Sequence, residues 1–251
     1  MPLLLCDIGN TRFKWALLGE HGLGVQHAHS YAGWGAAQVR EHVLLPAGKV
    51  SRVIVSNVGG DKIAEVFRAT VQDDLGLAPD FFCSTVQAGG VRNAYQRPEK
   101  LGVDRWAAMI GAHDQEKRAV CVIDVGTAAT IDAVAADGAH LGGLIVPGPD
   151  LMMSSLMRTT SDIATFAREG HANAGFFADN TLAAINHGAV HALAALVERA
   201  VNATRLQTAE EPAVLLTGGA SDRFEQVLQI PLKKIPDLVL RGLAVLAREK
   251  P

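Results

Sequence analysis

Residues 4–18 (LLCDIGNTRFKWALL) and 122–136 (VIDVGTAATIDAVAA) follow one plan. An apolar run of strand length reaches an Asp, a Gly comes two residues later, hydroxyl or amide side chains follow, and a second apolar strand leads away. In the first copy the pair is Asp7 and Gly9; in the second it is Asp124 and Gly126. Glycine at a tight turn lets backbone N–H groups face an anion with no side chain in the way. Two such turns facing each other would grip a polyphosphate from both sides. Ordinary β-hairpins would share the local pattern, but its repetition at a spacing near half the chain favours a fold duplicated around a phosphate-binding cleft.

The chain has 251 residues, enough for one large domain or two modest ones. Hydrophobic residues at 49% and charged residues at 20% suit a packed core and exclude a disordered chain. A net charge of −3, with the basic residues scattered, gives no electrostatic ground for binding nucleic acid. The opening stretch, MPLLLCDIGNTRFKW, has no basic leader and its apolar run is cut at Asp7, so no signal peptide is expected. No segment approaches the length of a membrane span, and a cytoplasmic location without a membrane partner is expected. Cys6, Cys83 and Cys121 are odd in number, widely spaced and in or at the end of predicted strands. They read as buried thiols rather than as disulfides or a zinc site.

Periodicity predicts strands over 3–8, 13–18 and 24–30, a helix over 34–45, a strand over 50–58, a helix over 61–74 and a short strand over 80–83. A loop over 84–100 leads to a helix over 101–113 that joins the halves. The second half repeats the order, with strands over 119–125, 130–135 and 140–146 and a helix through Met157. Residues 160–177 have little periodicity and read as a mobile loop. A long alanine-rich helix over 180–204, a strand over 213–216 ending at Thr217-Gly218-Gly219-Ala220, a further helix and a closing amphipathic helix over 237–249 complete the chain. Strands that alternate with helices predict mixed sheets flanked by helices, an α/β class. The expected domains are 1–112 and 113–251.

The first turn supplies what a nucleoside triphosphate needs: turn amides, a hydroxyl, an amide side chain and a nearby cation. Asp7 is the candidate Mg²⁺ carboxylate, acting through water because magnesium sheds its hydration reluctantly. Lys14, on the strand after the turn, could neutralise phosphate charge or stand as a solvated surface lysine. The histidines show no metal-ligand spacing; His187 and His191 are an i, i+4 pair that reads as interface or core. No Gly-x-x-x-x-Gly-Lys loop and no Gly-x-Ser-x-Gly elbow is present, which argues against an unrelated kinase fold or a hydrolase.

In order and spacing, residues 7–11 (DIGNT), 95–105 (YQRPEKLGVDR), 124–130 (DVGTAAT), 142–148 (GGLIVPG) and the 217–220 turn resemble the type III pantothenate kinases. These belong to the superfamily of acetate and sugar kinases, Hsp70 chaperones and actin. The resemblance covers most of the chain. It implies two duplicated ribonuclease H-like domains, the actin-like ATPase fold, with a cleft between them. It also implies an enzyme that phosphorylates pantothenate to 4′-phosphopantothenate with ATP and Mg²⁺, the first step of coenzyme A synthesis. Asp7, Ile8, Gly9, Asn10, Thr11, Arg12, Phe13 and Lys14 correspond to the family's nucleotide-binding stretch, and Thr127 to a further phosphate contact. Asp104 corresponds to the general base. Tyr95, Gly102, Val103, Asp104, Arg105 and Thr181 correspond to substrate contacts, although a threonine that opens a helix is also a natural N-cap. Asp124 corresponds to the ligand of a monovalent cation, K⁺ or NH₄⁺. The family forms homodimers, and the apolar face of the long helix near Thr181 suits such a contact. The alternatives are a nucleotide-sensing regulator without kinase activity and a kinase of another small polar alcohol.

Overall fold

A computed structural model describes residues 1–160 and 175–249. Most of the loop expected over 160–177 lies outside the described residues. The chain forms two compact units. The first holds Met1–Arg118, Val134–Gly142 and the C-terminal segment from Asp237; the second holds Ala119–Ala133 and the described part of Gly143–Pro236.

The first sheet is built on β1 (Leu3–Ile8), which pairs antiparallel with β2 (Arg12–Gly19) and parallel with β5 (Arg52–Asn57). Outside these lie β3 (Gly22–Leu23) and β4 (His27–Ser30), both on β2, and β6 (Asp80–Phe81) on β5, giving the order β3-β2-β1-β5-β6. The run LLLCDI is almost unbroken in apolar character because β1 is central and covered on both faces. Leu4, Cys6 and Ile8 enter a core with Val53, Val55 and, from helix α3 (Asp61–Leu75), Phe67 and Val71. The opposite face of the sheet is covered by two helices of the same unit, Val103–Glu116 and Leu238–Glu249.

The second sheet repeats the plan. Its strands are β9 (Val120–Val125), β10 (Ala128–Val134), β11 (His140–Pro147), β12 (Ala213–Thr217) and β13 (Lys233–Lys234), in the order β11-β10-β9-β12-β13. In both sheets the first strand of the repeat is central, its hairpin partner lies on one side, and a parallel strand from later in the chain lies on the other. The long helix Thr181–Thr208 covers the second sheet with Val190, Leu193, Ala194, Val197 and Val201, a 3.6-residue stripe.

Several local expectations are corrected. Of the strand expected over 24–30 only the last four residues form one, β4; the two-residue β3 precedes it, and the chain leaves the sheet at Gly24, whose N–H turns back to the Leu17 carbonyl. The helix expected over 34–45 starts at Ala36 and passes through a π-helical turn at Arg40–Leu44. The loop over 84–100 holds a hairpin of Gln87–Ala88 and Val91–Arg92. Gly89 and Gly90 supply its two positive φ angles, 56° and 78°. The helix after Ala220 is only Ser221–Glu225. Cys6 and Cys121 are buried as expected, and burial pushes the Cys121 thiol up to about 12, but Cys83 is exposed. It follows the two-residue strand β6 at the sheet edge, where no further strand among the described residues covers it.

Three histidines gather beside the first core. His27 stacks on Trp15 with ring centroids 4.1 Å apart, and His29 stacks on His42 at 5.1 Å. Burial pushes the His29 imidazole below its ordinary value, helped by His42 and His27. A histidine depressed in this way binds more protons unfolded than folded. Its stabilising contribution is complete above about pH 6.5 and is lost as pH falls from there toward the folded-state value. His29→Gln is therefore expected to flatten the acid-side decline of the melting temperature below about pH 6.5. Melting curves across pH check this; a slope unchanged from wild type would remove His29 from that role.

Candidate active site

The first turn ends β1. Asp7 is 5% exposed and stands in register with Lys14 on β2 and Ser56 on β5, so the three side chains share one face of the sheet. The Ser56 hydroxyl donates to the Asp7 carboxylate at 3.1 Å. Ile8 and Phe13 are paired across the hairpin and fully buried, so their side chains are closed to a ligand. Between them the Gly9 N–H closes the turn on the Arg12 carbonyl at 3.0 Å, and Asn10, Thr11 and Arg12 are exposed. The second turn is built alike: the Gly126 N–H closes on the Ala128 carbonyl at 3.0 Å, and Thr127 is exposed. Each is a short acidic hairpin whose tip faces outward.

The Asp124 turn has a second layer. Asp124 is in register with Thr217, and the Thr217–Ala220 turn lies directly against it: the Ala220 N–H donates to the Val125 carbonyl at 3.0 Å. Gly218, at φ +98°, has no room for a side chain, since a Cβ there would stand 2.5 Å from the Asp124 carboxylate. The Gly148 N–H, at the end of the GGLIVPG stretch, donates to the Thr127 carbonyl at 2.8 Å. Three motifs distant in sequence thus meet at one turn of the second unit. The oxygens gathered there, a carboxylate and backbone carbonyls, are the donors a hard cation takes.

Asp104 and Arg105 lie in the first turn of α4 (Val103–Glu116), which begins after Gly102. The Asp104 carboxylate accepts the Arg105 N–H at 2.8 Å. A Cβ at Gly102 would approach that carboxylate to 2.7 Å, so the glycine keeps the space in which Asp104 sits. Arg105 is only 7% exposed. Its guanidinium donates to the Tyr95 hydroxyl at 3.0 Å, with its carbon 5.8 Å from the centre of that ring. Tyr95 in turn stacks on His140, centroids 6.1 Å apart, and the Tyr95 N–H is held by the Asn93 side chain at 2.9 Å. Tyr95, Gly102, Val103, Asp104 and Arg105 therefore form one cluster in the first unit, with His140 behind it.

Thr181 opens α6 (Thr181–Thr208), but the N-cap is Asn180, whose side-chain oxygen accepts the Ala183 N–H at 3.0 Å. Thr181 instead lines a groove of about 740 Å³ with Met152, Leu156, Asn180, Ile185 and Gly188. Two neighbours escaped the sequence reading: Ser56, on Asp7, and His140, behind Tyr95. Neither carries a local motif, since both arrive from strands far along the chain. Among the described residues no three His, Cys, Asp or Glu side chains form a metal cage, and no helix is long and apolar enough to cross a membrane.

Comparison with known proteins shows the family and the fold. A family model described as type III pantothenate kinase matches residues 3–203. A protein of Herminiimonas arsenicoxydans named type III pantothenate kinase is 42% identical over 252 residues, covering 98% of this chain and 97% of its own. One of the same name from Nitrosococcus oceani is 38% identical over 254 residues, covering 98% and 94%. Among solved structures, the activator of the 2-hydroxyisocaproyl-CoA dehydratase from Clostridium difficile, with bound ADPNP, superposes with a TM-score of 0.56 at 15% identity, covering 100% of this chain and 95% of its own. At that identity the likeness speaks for the fold alone, which is the actin-like ATPase fold.

Proposed function

The chain belongs to the type III pantothenate kinase family, and we propose that it transfers the γ-phosphate of ATP to the primary hydroxyl of pantothenate, giving 4′-phosphopantothenate and ADP. What carries this reading is relatedness over 98% of the chain, at 38% and 42% identity, to proteins of that name. The reaction is the first step of coenzyme A synthesis.

Asp104 is the general base: it accepts the hydroxyl proton as the alcohol oxygen bonds to the γ-phosphorus and the bond to the β–γ bridging oxygen breaks, releasing ADP. The transition state is loose, so placing the alcohol matters more than base strength. Arg105, buried and steadied by Tyr95, has the fork geometry that binds a carboxylate, the group pantothenate carries. Gly102 and Val103 shape that wall with their backbone, and the Thr181 hydroxyl is a further candidate substrate contact. The first turn holds phosphates by the Asn10 and Thr11 amides and the Thr11 hydroxyl, with Lys14 neutralising charge, and Thr127 is the corresponding candidate phosphate contact of the second turn.

The magnesium site fits the residues present. Mg²⁺ usually comes bound to substrate phosphates and needs one or two carboxylates rather than a full protein cage; Asp7, oriented by Ser56, is such a carboxylate. When bound, the ion spreads the charge that develops on the phosphoryl oxygens. The Asp124 carboxylate, with backbone carbonyls close by, fits K⁺ or NH₄⁺, which would balance further phosphate charge. The exposed, small-residue face of α6 with the adjoining groove fits a homodimer contact.

ADP formation with ATP, Mg²⁺, K⁺ and a panel of alcohols tests the reading. Turnover with pantothenate supports it; turnover only with another alcohol moves the acceptor, and no ADP with any acceptor favours a nucleotide-sensing regulator. In the same assay, replacing K⁺ by Na⁺ is expected to reduce turnover several-fold, and Asp124→Ala to abolish the difference between the two ions. Equal wild-type rates in K⁺ and Na⁺ would remove Asp124 from the cation role.

A further inference from the structure

Tyr31 follows β4 and is 9% exposed. Its hydroxyl oxygen lies 2.6 Å from the Gly9 carbonyl oxygen and 3.1 Å from that of Asn10, so one O–H is shared between two consecutive carbonyls of the first turn. In a trans peptide the C=O and the following N–H point in opposite directions. Turning the Gly9 and Asn10 carbonyls toward Tyr31 therefore turns the Asn10 and Thr11 N–H groups away from it. Neither N–H has a protein acceptor among the described residues, and both residues are exposed. The Gly9 N–H is already spent on Arg12, so these two amides are what the turn retains for an anion.

The space for the hydroxyl is made by Gly59, at the end of β5. A Cβ there would run into the Tyr31 hydroxyl and come within 2.7 Å of the Gly9 carbonyl. The backbone of the same segment is pinned beneath the turn, with the Val58 and Gly59 N–H groups both donating to the Ile8 carbonyl, at 2.9 and 3.0 Å. Tyr31 also meets Trp34 edge-on, centroids 6.4 Å apart, so its ring is located by the core and its hydroxyl has little freedom to leave the turn.

We propose that Tyr31 is a positioning residue for the nucleotide: it orients two peptide planes so that the Asn10 and Thr11 amides present paired donors to a phosphate before ATP arrives. The proposal rests on reading residues 9–11 as a phosphate turn. Without the hydroxyl the two carbonyls are free to rotate, and the ligand must order the turn as it binds.

Tyr31→Phe keeps the ring and removes the latch. It is expected to raise the KM for ATP about fivefold, the worth of one ordinary hydrogen bond, while the KM for pantothenate and kcat stay near wild type. Titration with Mg·ADP should show the same weakening without any acceptor. Gly59→Ala, which displaces the hydroxyl but leaves it present, should weaken Mg·ADP in the same direction. A wild-type affinity for Mg·ADP in Tyr31→Phe overturns the proposal, and so does an equal rise in both KM values, which would mark general loosening of the fold. If the wild-type protein binds Mg·ADP but does not phosphorylate pantothenate, the kinase reading fails and the titration still decides the role of Tyr31.

Discussion

Asp104→Asn is expected to lower kcat roughly 10²–10⁴-fold, the range that a positioned general base contributes, while leaving the melting temperature and the binding of both substrates close to wild type. The carboxylate is tied to its own helix by accepting the Arg105 N–H at 2.8 Å, and an asparagine oxygen accepts the same bond. The space kept open by Gly102 serves the amide equally well, because the two side chains have one shape. What the amide cannot do is take the proton of the attacking alcohol. The loss should therefore fall on kcat and on kcat/KM alike, the pattern of an interaction made only in the transition state. Steady-state kinetics with both substrates varied, alongside a melting curve, measure all of it. Near-normal turnover in a folded Asp104→Asn protein would remove Asp104 from the base role and leave the Gly102–Arg105 turn as a binding wall only.

The duplicated core was legible because it is written locally. An apolar run that stops at Asp7 or Asp124 and turns at Gly9 or Gly126 announces a central strand and its hairpin without reference to the rest of the chain, and the two sheets share one strand order. The exposed turns and the Tyr95–Arg105 cluster were found for the same reason: each is a short stretch of sequence.

What escaped was decided by contacts across long separations. Tyr31 reaches back over more than twenty residues to hold Gly9 and Asn10, and nothing in the sequence around it differs from a tyrosine packed at a strand end. Ser56 becomes part of the first site only through the parallel register of β1 and β5, and His140 only because the connection from β10 to β11, Val134–Gly142, belongs to the first unit. Asn180 took the cap that Thr181 could have filled, a one-residue choice that pattern reading does not resolve. Cys83 looked buried because its run is apolar, whereas β6 ends at Phe81 and leaves it outside.

One such signal was readable and has a large consequence. Gly111 and Gly242 each interrupt a helix that is otherwise rich in strong formers, a choice costing about 1 kcal/mol unless packing requires it. Packing does require it: a Cβ on Gly111 would lie 2.8 Å from both the Gly242 nitrogen and the Leu238 carbonyl, and a Cβ on Gly242 would strike the Ala107 backbone. The C-terminal helix α8 (Leu238–Glu249) thus meets α4 with backbone against backbone, and that contact locates the helix carrying Asp104 and Arg105. Because the obstacle is main chain, no rotamer change relieves it, and Gly242→Val must push the two helices apart. The expected cost is about 3 kcal/mol, a fall of roughly 6–12 °C in melting temperature for a chain of this size. Turnover should fall with it, since Asp104 and Arg105 move with their helix. The two variants then separate two kinds of damage: Asp104→Asn loses catalysis in a stable protein, while Gly242→Val loses stability and catalysis together. A wild-type melting temperature for Gly242→Val would mean that α4 is held by something other than α8.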